Sequence, residues 1–546
     1  MLRRGKGGLP LGGKEIVLTA SRAEMSDYGL DPFKAFYCTF PHKFFPRSWE
    51  KKYYENRCLS EDGTAKFAPY GLRKVEAILK DAFGEDVVAV CYPQDLDRFV
   101  GTRTKLIGIS SMDPASLAYV STTYNSLIGF GGIGLNAVEF KRLLSHPVFK
   151  WYEGVVMVGG AGVWQIKEAN LQDELGIDVL YHGMAESDLV TLVKKILNGE
   201  KVPRDFYASA PDYSKLPLIR APSTYGMVEI TRGCGRGCAF CTPTMRNRYD
   251  IPIEHIVKEV EVNTAAGMEM VFLATEDIFL YGSKKNFLPN KEKLTAMLGR
   301  VASVPGVKYI QIAHAALAPI VYDVSVLEAI TPILLPKTRW RPEYKKTYKT
   351  PFISVEVGVE SGSPRLMGKL MRGKALPYKP EEWPEVVVSG FGNMNDYNWW
   401  PLATLMTGLP GETEDDLLLT LELIDDLMDT KSFLTPLVFV PIEEALLSEA
   451  RRVDMERLTE LQWEFITRCW KHNIDFWASE SKWWINPLIF SVYWVWGRWK
   501  HGRKSFRPVM RLVGMPIASP FAGSINMCNP VLCQNGGKKQ RPEKKR

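Results

Sequence analysis

No stretch of this 546-residue chain reaches the ~18 consecutive apolar residues that a membrane-spanning helix requires, so no spanning helix is predicted. The N-terminal MLRRGKGGLPLGGKE is basic but lacks an apolar core of signal-peptide length. The nine cysteines are an odd number, three of them crowd one loop, and no secretory signal accompanies them. That argues against a disulfide framework and for a reducing compartment, with the cytoplasm as the expected location. No internal repeat of solenoid period is present. What remains is ordinary globular composition, 46% hydrophobic and 24% charged, with a net charge of +7. The length predicts about three to four domains.

The densest chemistry lies in TRGCGRGCAFC. Cys234, Cys238 and Cys241 stand at spacing C-x3-C-x2-C, with Phe240 directly before the third. Three thiolates on one short loop can hold three corners of a cubane iron–sulfur cluster and leave the fourth iron open. A structural zinc site wants four protein ligands, and His255, the closest further ligand, falls in a predicted helix. Zinc and unligated thiols remain the alternatives at this point. Gly233, Gly235 and Gly237 supply the permissive backbone that a loop folded tightly around a cluster needs.

This loop after the strand VEITRG resembles the radical S-adenosylmethionine (SAM) superfamily. The resemblance covers roughly residues 225 to 445. It implies a 4Fe–4S cluster whose open iron binds SAM. An electron from an external donor such as ferredoxin or flavodoxin then splits SAM to a 5'-deoxyadenosyl radical. It also implies six βα units forming a partial, TIM-like barrel with the cofactors at its C-terminal mouth. The implied SAM-binding residues are Phe240 in the loop and Glu276 or Asp277, which stand where the family carries Gly-Gly-Glu. Further ones are Glu356, Glu360 and Ser361 of FISVEVGVESGS, and Gly408, Pro410 and Gly411 of GLPGET. Glu356 and Glu360 are four apart, so a regular strand would point both to one face. Arg365 could pair with a carboxylate. His314, near the end of another strand, reads as a core histidine.

Residues 76 to 205 alternate helix and strand in short apolar runs, which predicts a doubly wound parallel sheet. The order IGISSMDP, VGGAGVW, YHGMAESDL resembles cobalamin-binding domains fused to class B radical SAM enzymes. The resemblance implies a cobalamin site at Ser110, Ser111, Met112, Gly159, Gly160, Gly162, Gly183 and Glu186. The chain departs from the usual pattern at Ala161-Gly162 and at His182-Gly183-Met184-Ala185-Glu186. It also lacks the D-x-H-x-x-G that supplies a lower cobalt ligand, and His182 reads as a turn residue. Residues 1 to 75 read as an unassigned cap containing Cys38, His42 and Cys58, and 206 to 224 as a Pro-, Ser- and Tyr-rich linker.

From 446 to 536 the chain reads as helical and aromatic-rich, ending in a basic tail at 537 to 546. Eight of the fifteen tryptophans lie from Trp463 onward. The run 483 to 511 joins aromatics to Arg498, Lys500, Arg503, Lys504, Arg507 and Arg511. That suits contact with an anionic membrane surface on its inner face, or a lid over the barrel. Cys528 and Cys533 read as free thiols or an auxiliary site. No nucleic-acid partner is expected, because the cations flank an apolar segment rather than a polar groove. Together these features point to hydrogen abstraction from an unactivated carbon of a lipid or other apolar substrate. The layout is most similar to archaeal tetraether-lipid ring synthases. A cobalamin-dependent C-methyltransferase and a binding partner without turnover are the alternatives.

Overall fold

The computed structural model describes residues 12–55, 57–128, 133–242, 247–339, 350–477 and 495–505. Its N-terminal unit is a six-stranded, wholly parallel sheet: β1 (Ile16–Ala20), β2 (Val88–Val90), β3 (Leu106–Ser110), β4 (Val155–Gly159), β5 (Val179–His182) and β6 (Asp205–Tyr207). The strands lie in the order β2-β1-β3-β4-β5-β6.

All five residues of β1 are buried, because helices cover both faces of the sheet. Ile16 and Leu18 pack with Leu72, Leu79, Leu189 and Val193 on one face. Val17 packs with Ile107, Phe140 and Ile166 on the other.

The doubly wound sheet is as expected, but its limits are wider than residues 76–205. Ile16–Ala20 is an inner strand, so the stretch 1–75 is not a separate cap. Its five buried residues, Thr19 among them, carry no alternation, and their partners in β2 and β3 lie far downstream. The helix α1, Tyr70–Phe83, straddles position 76, and β6 ends at Tyr207, inside the expected linker.

The second unit contains β7 (Met227–Glu229), β8 (Met270–Ala274), β9 (Tyr309–Ile312), β10 (Ile353–Glu360), β11 (Trp399–Thr407) and β12 (Phe433–Val438). They pair in the parallel orders β9-β8-β7 and β10-β11-β12. Just past β9, His314–Ala315 pairs with Glu356–Val357 and joins the two sheets. The result is the expected open six-stranded barrel, with β7 and β12 at its edges.

The two units are bolted together by buried polar contacts. Lys74 Nζ of α1 meets Glu259 at 2.6 Å, and the Tyr70 hydroxyl donates to the same carboxylate at 2.8 Å. The helix α2, Tyr119–Ile128, reaches the barrel edge, where Thr123 Oγ1 accepts the Val438 N–H at 3.0 Å.

Beyond the barrel, Glu460–Trp477 packs on β12, with Trp463 fully buried. Most of 483–511, Cys528, Cys533 and the basic end lie outside the described residues. No described helix is long and apolar enough to cross a membrane.

Candidate active site

The cysteine loop leaves β7 through a short strand, Thr231–Arg232, that pairs antiparallel with Tyr249–Asp250. Gly233, Gly235 and Gly237 all adopt positive φ, at 72°, 74° and 77°, a region that costs other residues strain. The loop is held from several sides. The Gly233 N–H donates to Glu276 Oε1 at 3.0 Å, and the Ala239 N–H to Leu370 O at 2.8 Å. The Tyr119 hydroxyl of α2 donates to Phe240 O at 3.0 Å. Arg236 bonds Asp277 at 2.8 Å and the Gly373 carbonyl at 3.1 Å.

Cys234, Cys238 and Cys241 are not engaged in disulfides. Burial pushes Cys234 up to about 11, with Arg236 opposing the rise, and also raises Cys238, with Lys374 opposing it. A thiolate here gains from a cationic ligand. Among the described residues no three His, Cys, Asp or Glu side chains gather round a single-ion site. Three soft donors on a positive-φ loop, with cations nearby and no fourth ligand among the described residues, fit a cluster with one open corner.

Beneath the loop, the barrel encloses a cavity of about 660 Å3. Its upper end, at the C-terminal ends of the strands, is polar: Thr231, Glu276, His314 and Glu356. Its lower end is mainly aromatic: Tyr309, Phe352, Trp400 and Phe433, closed by Phe33, Phe36 and Trp477, with Asp31 and Arg339 beside them. Phe352 and Trp400 stack with centroids 3.9 Å apart and planes within 4°. Phe33 meets Phe433 edge-on at 6.4 Å.

The implied SAM residues separate into two groups. Glu276 faces the cavity and binds the cysteine loop, and burial raises its pKa. Glu356 also faces the cavity. His314 Nε2 lies 3.5 Å from it, while Nδ1 meets Thr275 O at 2.9 Å. Burial raises the Glu356 pKa, with His314 opposing and Glu360 adding to the rise. His314 is therefore a cavity residue, not a core histidine.

Strand β10 is not regular between the two acids: a bulge lies between Gly358 and Glu360, and Glu360 has φ 65°. Glu360 pairs with Lys374 at 2.8 Å. Burial would depress the Lys374 ammonium, but Glu360 and the nearby thiols outweigh it and raise its pKa.

Other expected ligands are occupied by the fold itself. Asp277 is buried, pairs with Arg236 and caps the turn at Phe279. Ser361 bonds Thr420 at 3.1 Å inside the strand-to-helix turn. Phe240 packs in the core. In GLPGET, Gly408 at φ 80° donates its N–H to Glu412 at 2.8 Å, while Pro410 is half-buried and Gly411 exposed at φ 83°. The carboxylate that Arg365 pairs with is Asp416.

At the sheet of the first unit, ligands of such folds collect where neighbouring strands diverge, here beyond β1 and β3. Ser110 ends β3, and Met112 is 65% exposed. The other expected residues are largely spent on packing. A Cβ on Gly160 would lie 2.5 Å from Ser111 O, and one on Gly162 2.4 Å from Pro114 Cδ, so these glycines seat one loop on another. Ser111 Oγ donates to Gly159 O at 3.0 Å. Gly183 has φ 98° and abuts Ala208.

Glu186 forms a buried ion pair with Arg232. His182 ends β5 rather than sitting in a turn. It is buried between Glu443, at 3.0 Å, and Asp205, at 3.4 Å, and stacks on Tyr207. Of the expected residues, Met112 and Gly183 are exposed and Ser110 is half-buried. Sequence reasoning missed Glu24, whose Oε1 accepts the Met112 N–H at 3.2 Å beyond β1. Burial and then Asp113 push its carboxyl up to about 8 against the pull of the Met112 N–H. No motif marks it.

Comparison with known proteins agrees with this geometry. Residues 228–424 match the Radical SAM superfamily. The chain is 24% identical over 289 residues to a tRNA-2-methylthio-N(6)-dimethylallyladenosine synthase of Vesicomyosocius okutanii subsp. Calyptogena okutanii (51% of this chain, 58% of that one). It is 27% identical over 228 residues to the ribosomal protein uS12 methylthiotransferase RimO of Porphyromonas gingivalis (41% and 45%). These matches span about half the length of the relatives.

The fold is similar to that of TsrM, a radical S-adenosylmethionine methyltransferase from Kitasatospora setae solved with cobalamin and a 4Fe–4S cluster. The TM-score is 0.51 at 13% identity, over 80% of this chain and 74% of that one. The cysteine loop, the open barrel and the matched region agree: residues 228–424 of the chain form a radical SAM domain.

Proposed function

We propose that this enzyme abstracts hydrogen from an unactivated carbon of an apolar substrate whose chain lies in the barrel. The observation that carries this reading is the cavity itself, rich in aromatic rings at the end away from the cysteine loop and acidic where it meets that loop. When bound, the reduced cluster supplies the electron that cleaves SAM. Cys234, Cys238 and Cys241 would hold it, Arg236 and Lys374 lie close enough to oppose the charge of the thiolates, and Glu276 braces the loop through Gly233. Glu276 and Glu356 are the acids placed to meet an ammonium group of SAM. An apolar lumen also excludes water, which protects a reactive radical from side reactions.

Two fates of the substrate radical are carried forward. Ring closure within an archaeal membrane lipid suits the aromatic end of the cavity. Transfer of a methyl group from cobalamin is supported by the likeness to TsrM and by the parallel sheet beside the barrel. Ser110, Met112 and Gly183 are the residues left to hold cobalamin. A cytoplasmic location and an electron donor such as ferredoxin or flavodoxin belong to the same proposal.

Anaerobic reconstitution with iron, sulfide and SAM tests the core claim by release of 5'-deoxyadenosine. Mass spectrometry of host lipids with and without the gene then separates the fates. Ring closure keeps the carbon number and removes two hydrogens, whereas methylation adds one carbon. Unchanged lipids together with absent deoxyadenosine would refute the proposal.

A further inference from the structure

The floor of the barrel is a surface as well as a wall. Phe33 and Phe36 line the cavity from the helix Pro32–Tyr37, yet they are also 38% and 39% exposed. Phe44, at the end of the turn His42–Phe44, is 45% exposed. The neighbouring helix Arg47–Tyr53 is tied to this segment through Tyr37 against Trp49, at 6.3 Å, and Lys34 over the Tyr53 ring, at 5.7 Å.

That helix presents Arg47, Lys51 and Lys52 to solvent, and Lys43 is exposed beside Phe44. The acids of the segment are engaged. Asp31 pairs with Lys34 at 3.2 Å, and Glu50 pairs with Arg22 and Arg142. Exposed aromatic rings beside unneutralised cations are the composition of an interfacial membrane contact.

We infer that the face built by Pro32–Tyr37, His42–Phe44 and Arg47–Tyr53 docks on an anionic lipid bilayer and passes an apolar chain through the barrel floor. The inference rests on the proposed apolar substrate and names its source. A chain leaving the bilayer at Phe33 and Phe36 meets Phe433, Trp400 and Phe352 inside the cavity, so burial against these rings offsets its withdrawal from the bilayer. The cations hold the face against phosphate headgroups, each contributing roughly a fivefold gain in partition near an anionic surface. The chain thus approaches from the end of the barrel opposite the cysteine loop. The polar end stays free for SAM.

The test is sedimentation of the full-length protein with vesicles of phosphatidylcholine, with and without phosphatidylglycerol. Binding is expected on the anionic vesicles and to weaken with salt. Lys51→Gln with Lys52→Gln is expected to lower it by about 25-fold. Phe44→Ser is expected to lower it on both vesicle types, with circular dichroism reporting that each variant is folded. Release of 5'-deoxyadenosine in vesicle-free solution is expected to be unchanged in all of them.

Trp499→Ser serves as the competing site, because Trp499 is 78% exposed on the helix near the C-terminal end of the described chain. Loss of binding confined to Trp499→Ser, or equal binding by parent and lysine variants, overturns the inference. Vesicle binding without any deoxyadenosine would instead sink the proposed reaction and leave the docking face standing.

Discussion

Arg232, one residue before the cysteine loop, forms an ion pair at 2.7 Å with Glu186 of the parallel-sheet unit, and both side chains are only 8% exposed. The same guanidinium bonds Glu229 at 2.6 Å. Burial opposes the arginine charge, but the two carboxylates outweigh it and raise its pKa. One residue of the barrel thus fixes both the entrance to the loop and the neighbouring unit.

Replacing Glu186 by Gln should therefore weaken the joint between the units. Arg232 keeps Glu229, so the cost is expected at about 2 kcal/mol rather than the larger value for a fully orphaned buried charge. Denaturant titration checks this, and a double-mutant cycle with Arg232→Lys should show coupling. Additive losses would show that the pair does not join the units.

The cluster loop has a second dependence that no cysteine reveals. A Cβ on Gly373 would fall 1.8 Å from Arg236 O, so Gly373→Ala must displace the loop backbone between Cys234 and Cys238. Iron content and the visible absorption of the reconstituted protein should fall in this variant. Cys234→Ser, Cys238→Ser or Cys241→Ser should each abolish deoxyadenosine release. Full iron in Gly373→Ala would contradict the packing argument.

Filling the lumen should separate substrate turnover from SAM cleavage. Ser354 lines the cavity in register with Trp400, and Ser354→Phe adds a ring to space the substrate needs. Turnover of an apolar substrate is expected to drop by more than about tenfold, the scale of a lost fit of 1–3 kcal/mol. Uncoupled deoxyadenosine should persist. Parallel loss of both would place the cavity outside the substrate path.

Stability should respond to pH through Glu24. Its carboxyl is raised from 4.5 to about 8. The native state therefore holds a proton that the unfolded chain releases between those values. Its stabilising contribution is complete below about 4.5 and is lost as pH rises through about 8. The slope is at most about 1.4 kcal/mol per pH unit. Glu24→Gln should flatten the fall of the denaturation midpoint across this window, and an unchanged profile would reject the assignment.

The cysteine loop and the glycines that let it turn were legible in the sequence because all of their constraints are local. The six strands of the barrel and most of the sheet showed as short apolar runs between helices. Ile16–Ala20 escaped because five buried residues without alternation carry no sign of the sheet they join. The acids separated for a similar reason. Nothing in VEVGVES marks the bulge before Glu360, and nothing near Asp277 shows that Arg236 claims it.

What the sequence by itself determined was chemistry set by spacing: three thiols on one turn, and an alternation that can only bury itself as parallel βα layers. Only the tertiary structure decided which polar groups remain available. Ion-pair partners such as Glu186 with Arg232 come from distant segments. A side chain's role depends on whether such a partner reaches it first, because a buried charge must be matched wherever the match lies in the chain.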